Sequence, residues 1–161
     1  MLKYTRPLLV AALLCSFSTS FSPVTAPART ATATTDYSTI DTYARNAPNA
    51  HTRSINSLSD YLTAPARSDL AKARSIYAWI MTHVRYDNSA AANPYYATET
   101  EYANRVLKSR RAVCSGFALL YKCLLKRAGV EVVSIKGYSR IYDIQAGRPT
   151  GAVDHEWNAM K

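Results

Sequence analysis

Cys114 and Cys123 stand nine positions apart in RRAVCSGFALLYKCLLKRAG, residues 110–129, and their settings differ. Phe117, Leu120, Leu124 and Ala128 recur at helical spacing, and Gly129 suits a helix C-terminus. Cys114 therefore opens a helix, just after Arg110, Arg111 and Val113. A helix N-terminus carries about half an elementary positive charge and free N–H donors. That field favours thiolate over thiol, and the same donors can hold the oxyanion of a tetrahedral acyl intermediate. Ser115 and Gly116 are small and would leave room for a substrate carbonyl above the sulfur. Cys123 falls in mid-helix among Leu119, Leu120 and Leu124, where a cysteine is ordinarily a small buried apolar residue. A disulfide between them is excluded if the helix is continuous. Nine residues rise roughly 13–14 Å, whereas a disulfide needs Cα atoms within ~7 Å.

A thiol nucleophile needs a base, and the chain offers His51, His83 and His155. His83 sits beside the apolar stripe of its helix and reads as structural; His51 lies in a polar turn region and reads as solvent-exposed. His155 starts an apparent strand, HEWNAMK, after a glycine-containing loop. A cysteine on a helix tip and a histidine on a facing strand can form a dyad without being neighbours in sequence. Strand alternation puts Trp157 on the face of His155, where it could shield the pair from water, and Asn158 on the other face.

The elements that must position these groups follow from periodicity and caps. DYSTIDTYARNA suggests a short helix, and Ile55, Leu58 and Leu62 a second. The clearest runs from Ser68 to Val84, with Ser68 as N-cap and an apolar stripe of Leu70, Ala73, Ile76, Tyr77, Ile80, Met81 and Val84. Trp79 falls off the centre of that stripe and is expected at its edge. Residues 85–97 read as a polar loop bearing aromatic residues. Thr98 and Glu101 form a capping box that opens a helix through Lys108. VEVVSIKGY gives a strand over Val130–Tyr138, and Asp143–Val153, with Gly147, Pro149 and Gly151, a loop.

AVCSGFALLYKCLLKRAGVEVVSIKGYSR followed by DHEWNAMK resembles the transglutaminase-like superfamily, particularly its bacterial and kyphoscoliosis-peptidase-like members. LAKARSIYAWIMTHVRYD resembles the family's preceding helix. The resemblance covers about residues 55–161. It implies an α+β fold with a papain-like core, the nucleophile helix packed on an antiparallel sheet. It also implies Cys114 as nucleophile and His155 as general base, with Trp157 and Asn158 matching the residues after the histidine. The family's histidine-orienting aspartate lies on the following strand, which is not reached before Lys161. The sheet is therefore expected to be incomplete and the sequence to be a fragment. Asp154 is a poor substitute because strand neighbours face opposite ways, and Asp143 lies in the loop. The activity implied is thiol-dependent acyl transfer to water or an amine, on an amide or isopeptide bond of a protein or peptide, such as one of the cell envelope. The alternative is a non-catalytic peptide- or glycan-binding module on the same fold, rimmed by Tyr86, Tyr95 and Tyr96.

Bulk features set the context. Lys3 and Arg6, an apolar run from Leu8 to Phe17, and Ala26-Pro27-Ala28 have the layout of an export signal cleaved after Ala28. That run is too short for a membrane span, for which ~20 apolar residues are needed. Residue Leu14 before Cys15 does not suit a lipid anchor. Residues 1–28 are thus read as signal, 29–35 as a disordered linker rich in Ala and Thr, and 36–161 as one domain, extracytoplasmic and without a stable membrane span. The net charge of +9 comes from scattered basic residues, clustered only at Lys108, Arg110 and Arg111, and export argues against a nucleic-acid partner. The histidines and cysteines show no metal-ligand spacing, and no glycine-rich phosphate loop suggests a cofactor.

Overall fold

The computed structural model describes residues 35–89, 95–139 and 153–161. The expected signal, the linker up to residue 34, and the loop containing Asp143, Gly147, Pro149 and Gly151 lie outside the described residues. The chain order is α1 (Ser38–Arg45), a 3-10 turn (Asn49–Arg53), α2 (Ile55–Thr63), α3 (Asp69–His83), β1 (Arg85–Tyr86), α4 (Glu99–Ser109), β2 (Arg111–Ala112), α5 (Cys114–Arg127), β3 (Val132–Gly137) and β4 (His155–Met160). The helices pack around α5, and β3 pairs antiparallel with β4, from Val132 opposite Met160 to Gly137 opposite His155. This is an α+β arrangement with a helical layer against a small sheet.

Three of the helices start where their sequences put a hydroxyl. Ser54, Ser68 and Thr98 accept hydrogen bonds from Ser57, Ala71 and Glu101 N–H groups at 3.1, 3.2 and 3.1 Å. Each bond satisfies one donor that the first helical turn leaves free. The Glu101 carboxylate accepts the N–H of Ala97 at 2.8 Å, one residue before the Thr98 cap.

The core is made by Leu58 and Leu62 of α2, Ile76, Trp79 and Ile80 of α3, Val106 of α4, and Leu119, Leu120, Leu124 and Leu125 of α5. Two buried serines tie the layers through the last-turn carbonyls of neighbouring helices. Ser59 donates to Leu124 O at 2.8 Å and Ser75 to Leu62 O at 2.6 Å. Tyr121 donates to Ala73 O at 3.1 Å, and burial pushes its phenol up to about 12, so it stays a donor. Asp41, buried on α1, takes two hydrogen bonds from Arg74 at 2.7 and 2.6 Å, which hold its carboxyl below the usual range.

The apolar stripe of α3 is rotated from the one its sequence suggests. Trp79 is fully buried rather than at the edge, while Tyr77 is 48% and Met81 55% exposed. Trp79 is drawn inward because both its faces find partners: the His83 ring stacks on it at 4.9 Å and the Arg110 guanidinium lies 4.5 Å from its centroid. Nor is the segment after α3 entirely loop. Arg85–Tyr86 pairs in parallel with Arg111–Ala112, a two-residue ladder too short to leave a periodic signature. His51 is half-buried, stacked on Tyr61 at 4.6 Å, not solvent-exposed as its polar surroundings suggest.

Candidate active-site cleft

The start of α5 is fixed from both sides. Helix α4 ends at Arg110, which adopts a left-handed φ of 59° and turns the chain back. Its carbonyl accepts Arg85 N–H, and Ala112 O accepts Asp87 N–H, each at 2.9 Å, so β2 is clamped to β1. Arg111 Nε donates to Asp87 at 3.0 Å, and this pair with two bonds from Ser89 holds the Asp87 carboxyl far below its ordinary range. One residue later α5 begins. Its N-cap is Val113, whose side chain cannot accept a hydrogen bond, so the first turn has no side-chain cap. Gly116 N–H turns back to Val113 O at 3.0 Å, so among the described residues the donors of this turn without an acceptor are the Cys114 and Ser115 N–H groups.

Gly116 lets the first turn of α5 sit this low. A Cβ there would fall 2.6 Å from Ala112 Cβ and 3.0 Å from Val106 Cγ2. Ser115 and Gly116 are both buried beneath the turn and do not line the cleft, so their small size serves helix packing instead of opening space above the sulfur.

Cys114 is half-buried and opens into a cleft of about 620 Å³ between α3, α5 and β4. The helical walls carry Tyr77, Ile80, Met81, Phe117 and Tyr121, and Tyr86 stacks on Phe117 at 6.0 Å. The opposite wall is β4, from His155 to Asn158. Cys114 and His155 thus border one cleft, and Cys114 Sγ lies 3.9 Å from the carbonyl oxygen of Asp154, the residue before His155. The His155 and Trp157 rings sit on one face of β4, 5.8 Å apart and tilted by 32°, the face opposite Glu156 and the core-packed Met160, so the group that meets Cys114 Sγ is the Asp154 carbonyl and not the imidazole. Trp157 folds across Gly137, where an added Cβ would meet its ring at 2.5 Å. The Asp154 carboxylate is taken up by Ser139 N and Oγ at 2.6 and 3.0 Å, and the Ser139 N–H bond lowers its pKa. It pins the two strand ends together.

Sequence reasoning passed over Glu156. It is 7% exposed, lines the cleft, and its Oε1 has no hydrogen-bond partner. A charged residue at an inward position of a strand, between His155 and Trp157, was the available signal.

Cys123 faces elsewhere. It borders a separate polar groove with Ser54, Thr100, Asn104, Lys126 and Arg127, half-buried instead of sunk in the core. Burial pushes its thiol up, and nearby Glu99 adds to the shift. Among the described residues no cluster of three His, Cys, Asp or Glu side chains could hold a metal ion, and no helix is long and apolar enough to cross a membrane.

Comparison with known proteins bears on this arrangement. No solved structure matches the chain. Among curated proteins it is 34% identical over 107 residues to the kyphoscoliosis peptidase of Mus musculus and 31% identical to that of Homo sapiens, in each case over 66% of this chain and 16% of the relative. It is 31% identical over 132 residues to the Lim and transglutaminase domain protein ltd-1 of Caenorhabditis elegans, covering 79% of this chain and 17% of that protein. The chain therefore spans about a sixth of the relatives it matches. The model of the transglutaminase-like superfamily covers residues 56–161, from α2 through the Cys114 helix to the end of β4. With that match across the helices, the cleft and both of its walls, the chain belongs to the transglutaminase-like superfamily.

Proposed function

We propose that the chain is an exported thiol-dependent acyl-transfer domain, acting on an amide or isopeptide bond of a protein or peptide. The single observation that carries this reading is that Cys114, at an uncapped helix N-terminus, borders the same cleft as His155. With its ring brought round the strand edge to the sulfur, His155 accepts the thiol proton, and the Cys114 sulfur attacks the substrate carbonyl. The developing oxyanion is met by the open N–H groups of the first turn of α5, a contribution worth ~2.7–4 kcal/mol per donor where it has been measured. As the tetrahedral intermediate collapses, the C–N bond breaks and the leaving amine takes the proton from His155. The acyl group stays on sulfur as a thioester until water or a second amine, deprotonated by His155, displaces it. Trp157, beside His155 over Gly137, screens the pair from bulk water. No metal or cofactor is required by these steps.

The test is hydroxylamine trapping. The chain is incubated with a mixed peptide digest and hydroxylamine, and acyl hydroxamates are counted by mass spectrometry. Hydroxamates that vanish in Cys114→Ala support the reading; their absence from the unmodified chain, or their persistence in the variant, refutes it. Export is tested separately by N-terminal sequencing of protein secreted from a bacterial host, where Arg29 is expected first.

A second reading, a binding module for peptides or glycans, is favoured by the exposed aromatic rings of Tyr86 and Trp157 at the cleft. It predicts ligand binding with no hydroxamate formed.

A further inference from the structure

Glu156 is a buried carboxylate that the steps above do not use. Side chains alternate along β4, so Glu156 lies on the side of Asn158 and Met160. Met160 packs against the core, which makes this the face turned toward the helices. The carboxylate therefore points to the side of α5, where the cleft is walled by Tyr77, Phe117 and Tyr121. Its Oε1 is sealed from solvent and has no partner. Lys136 stands opposite in the strand register, but it is exposed and makes no ion pair with Glu156 within 4 Å. A buried carboxylate oxygen without a partner is costly, and the cost is relieved when a cation reaches it. The aromatic rings that line the same cleft favour the same guest, because their faces attract positive charge and their bodies accept an alkyl stem.

We infer that Glu156 is a specificity residue that binds the cationic head of a basic side chain in a peptide substrate, with the stem of that side chain against the aromatic walls. This deepens the proposed function and rests on the cleft being where substrate lies. A neutral side chain of equal length would fill the cleft yet leave the carboxylate unpaired, and sites with buried polar groups reject such analogues strongly.

Binding is measured by calorimetry on the Cys114→Ala chain, so that no reaction intervenes. The probes are N-acetyl-lysine methylamide and its uncharged counterpart N-acetyl-norleucine methylamide, with N-acetyl-arginine methylamide as the second cation. The lysine probe is expected to bind at least about tenfold more tightly than the norleucine probe, and Glu156→Gln to reduce the difference to about twofold or less. Lys136→Met, which removes the exposed cation opposite Glu156 in the register, is expected to leave the difference in place. Thermal unfolding checks that Glu156→Gln is folded. Equal binding of lysine and norleucine probes, no binding of either, or a cation preference that survives Glu156→Gln overturns the inference. A preference that disappears in Glu156→Gln upholds it even if hydroxylamine traps no acyl group, in which case only the acyl-transfer reading falls.

Discussion

Helix α5 presents one cysteine at its N-terminus and another in its third turn, and the two settings differ in almost every physical respect. Cys114 stands at an uncapped N-terminus, in an apolar cleft that it shares with His155. Cys123 sits about two and a half turns further along, beside the capped starts of α2 and α4, and burial pushes its thiol up. The surrounding elements also differ. Around Cys114 the chain is tied down by β1–β2, by the left-handed turn at Arg110 and by the glycine contact at Gly116. Around Cys123 the neighbours are exposed basic residues and helix starts that hydroxyls already cap. On the proposed function the contrast teaches that one residue type on one helix serves as a reagent at the helix terminus and packs against its neighbours further along.

Removing each thiol in turn should break the comparison most visibly. Cys114→Ala should abolish hydroxamate formation, whereas Cys123→Ala should leave it within about twofold, the cost there being confined to packing. Replacing the base comes next. His155→Ala should lower acyl transfer by roughly 10²–10⁴, the usual worth of a positioned general base, with little change in thermal stability because the ring is exposed. Gly116→Ala acts on the platform. The added methyl must displace Ala112 or Val106, so a loss of ~1–3 kcal/mol in chemical denaturation is expected, together with slower alkylation of Cys114 but not of Cys123.

The smallest effect is an acid one. The carboxyl of Asp87 titrates lower in the folded chain than in the unfolded chain, so its contribution is present above the ordinary carboxylate value near ~3.9 and fades as the pH falls through the lowered one. Amide exchange in β1–β2 should therefore quicken on strong acidification, and Asp87→Asn should reproduce that quickening at neutral pH. The Cys123 end of α5 should not respond to either change.

Much of this was legible in the sequence because it is written locally. Ser68, Thr98 and Gly129 mark helix ends through their own chemistry, and the helix, loop, strand order around Cys114 and His155 follows from periodicity. What was not legible depends on partners distant in the chain. Trp79 is buried because Arg110 and His83 cover its faces, which no spacing within α3 could reveal. The β1–β2 pair has two residues on each side and no pattern of its own. Ser115 and Gly116 were expected in the cleft on the strength of size alone, but helix rotation buries both under the first turn, Gly116 against Ala112 and Val106. Glu156 went unnoticed because an acidic residue in a short terminal strand reads as surface until the opposite wall is seen.

The most direct measurement is the alkylation of both thiols by iodoacetamide in the folded chain at pH 7, read by peptide mapping, with and without His155→Ala. Cys114 should react at least about tenfold faster than Cys123 and lose that advantage when His155 is replaced. Equal rates at the two thiols, or a Cys114 rate indifferent to His155, would contradict the assignment of Cys114 and His155 as a working pair.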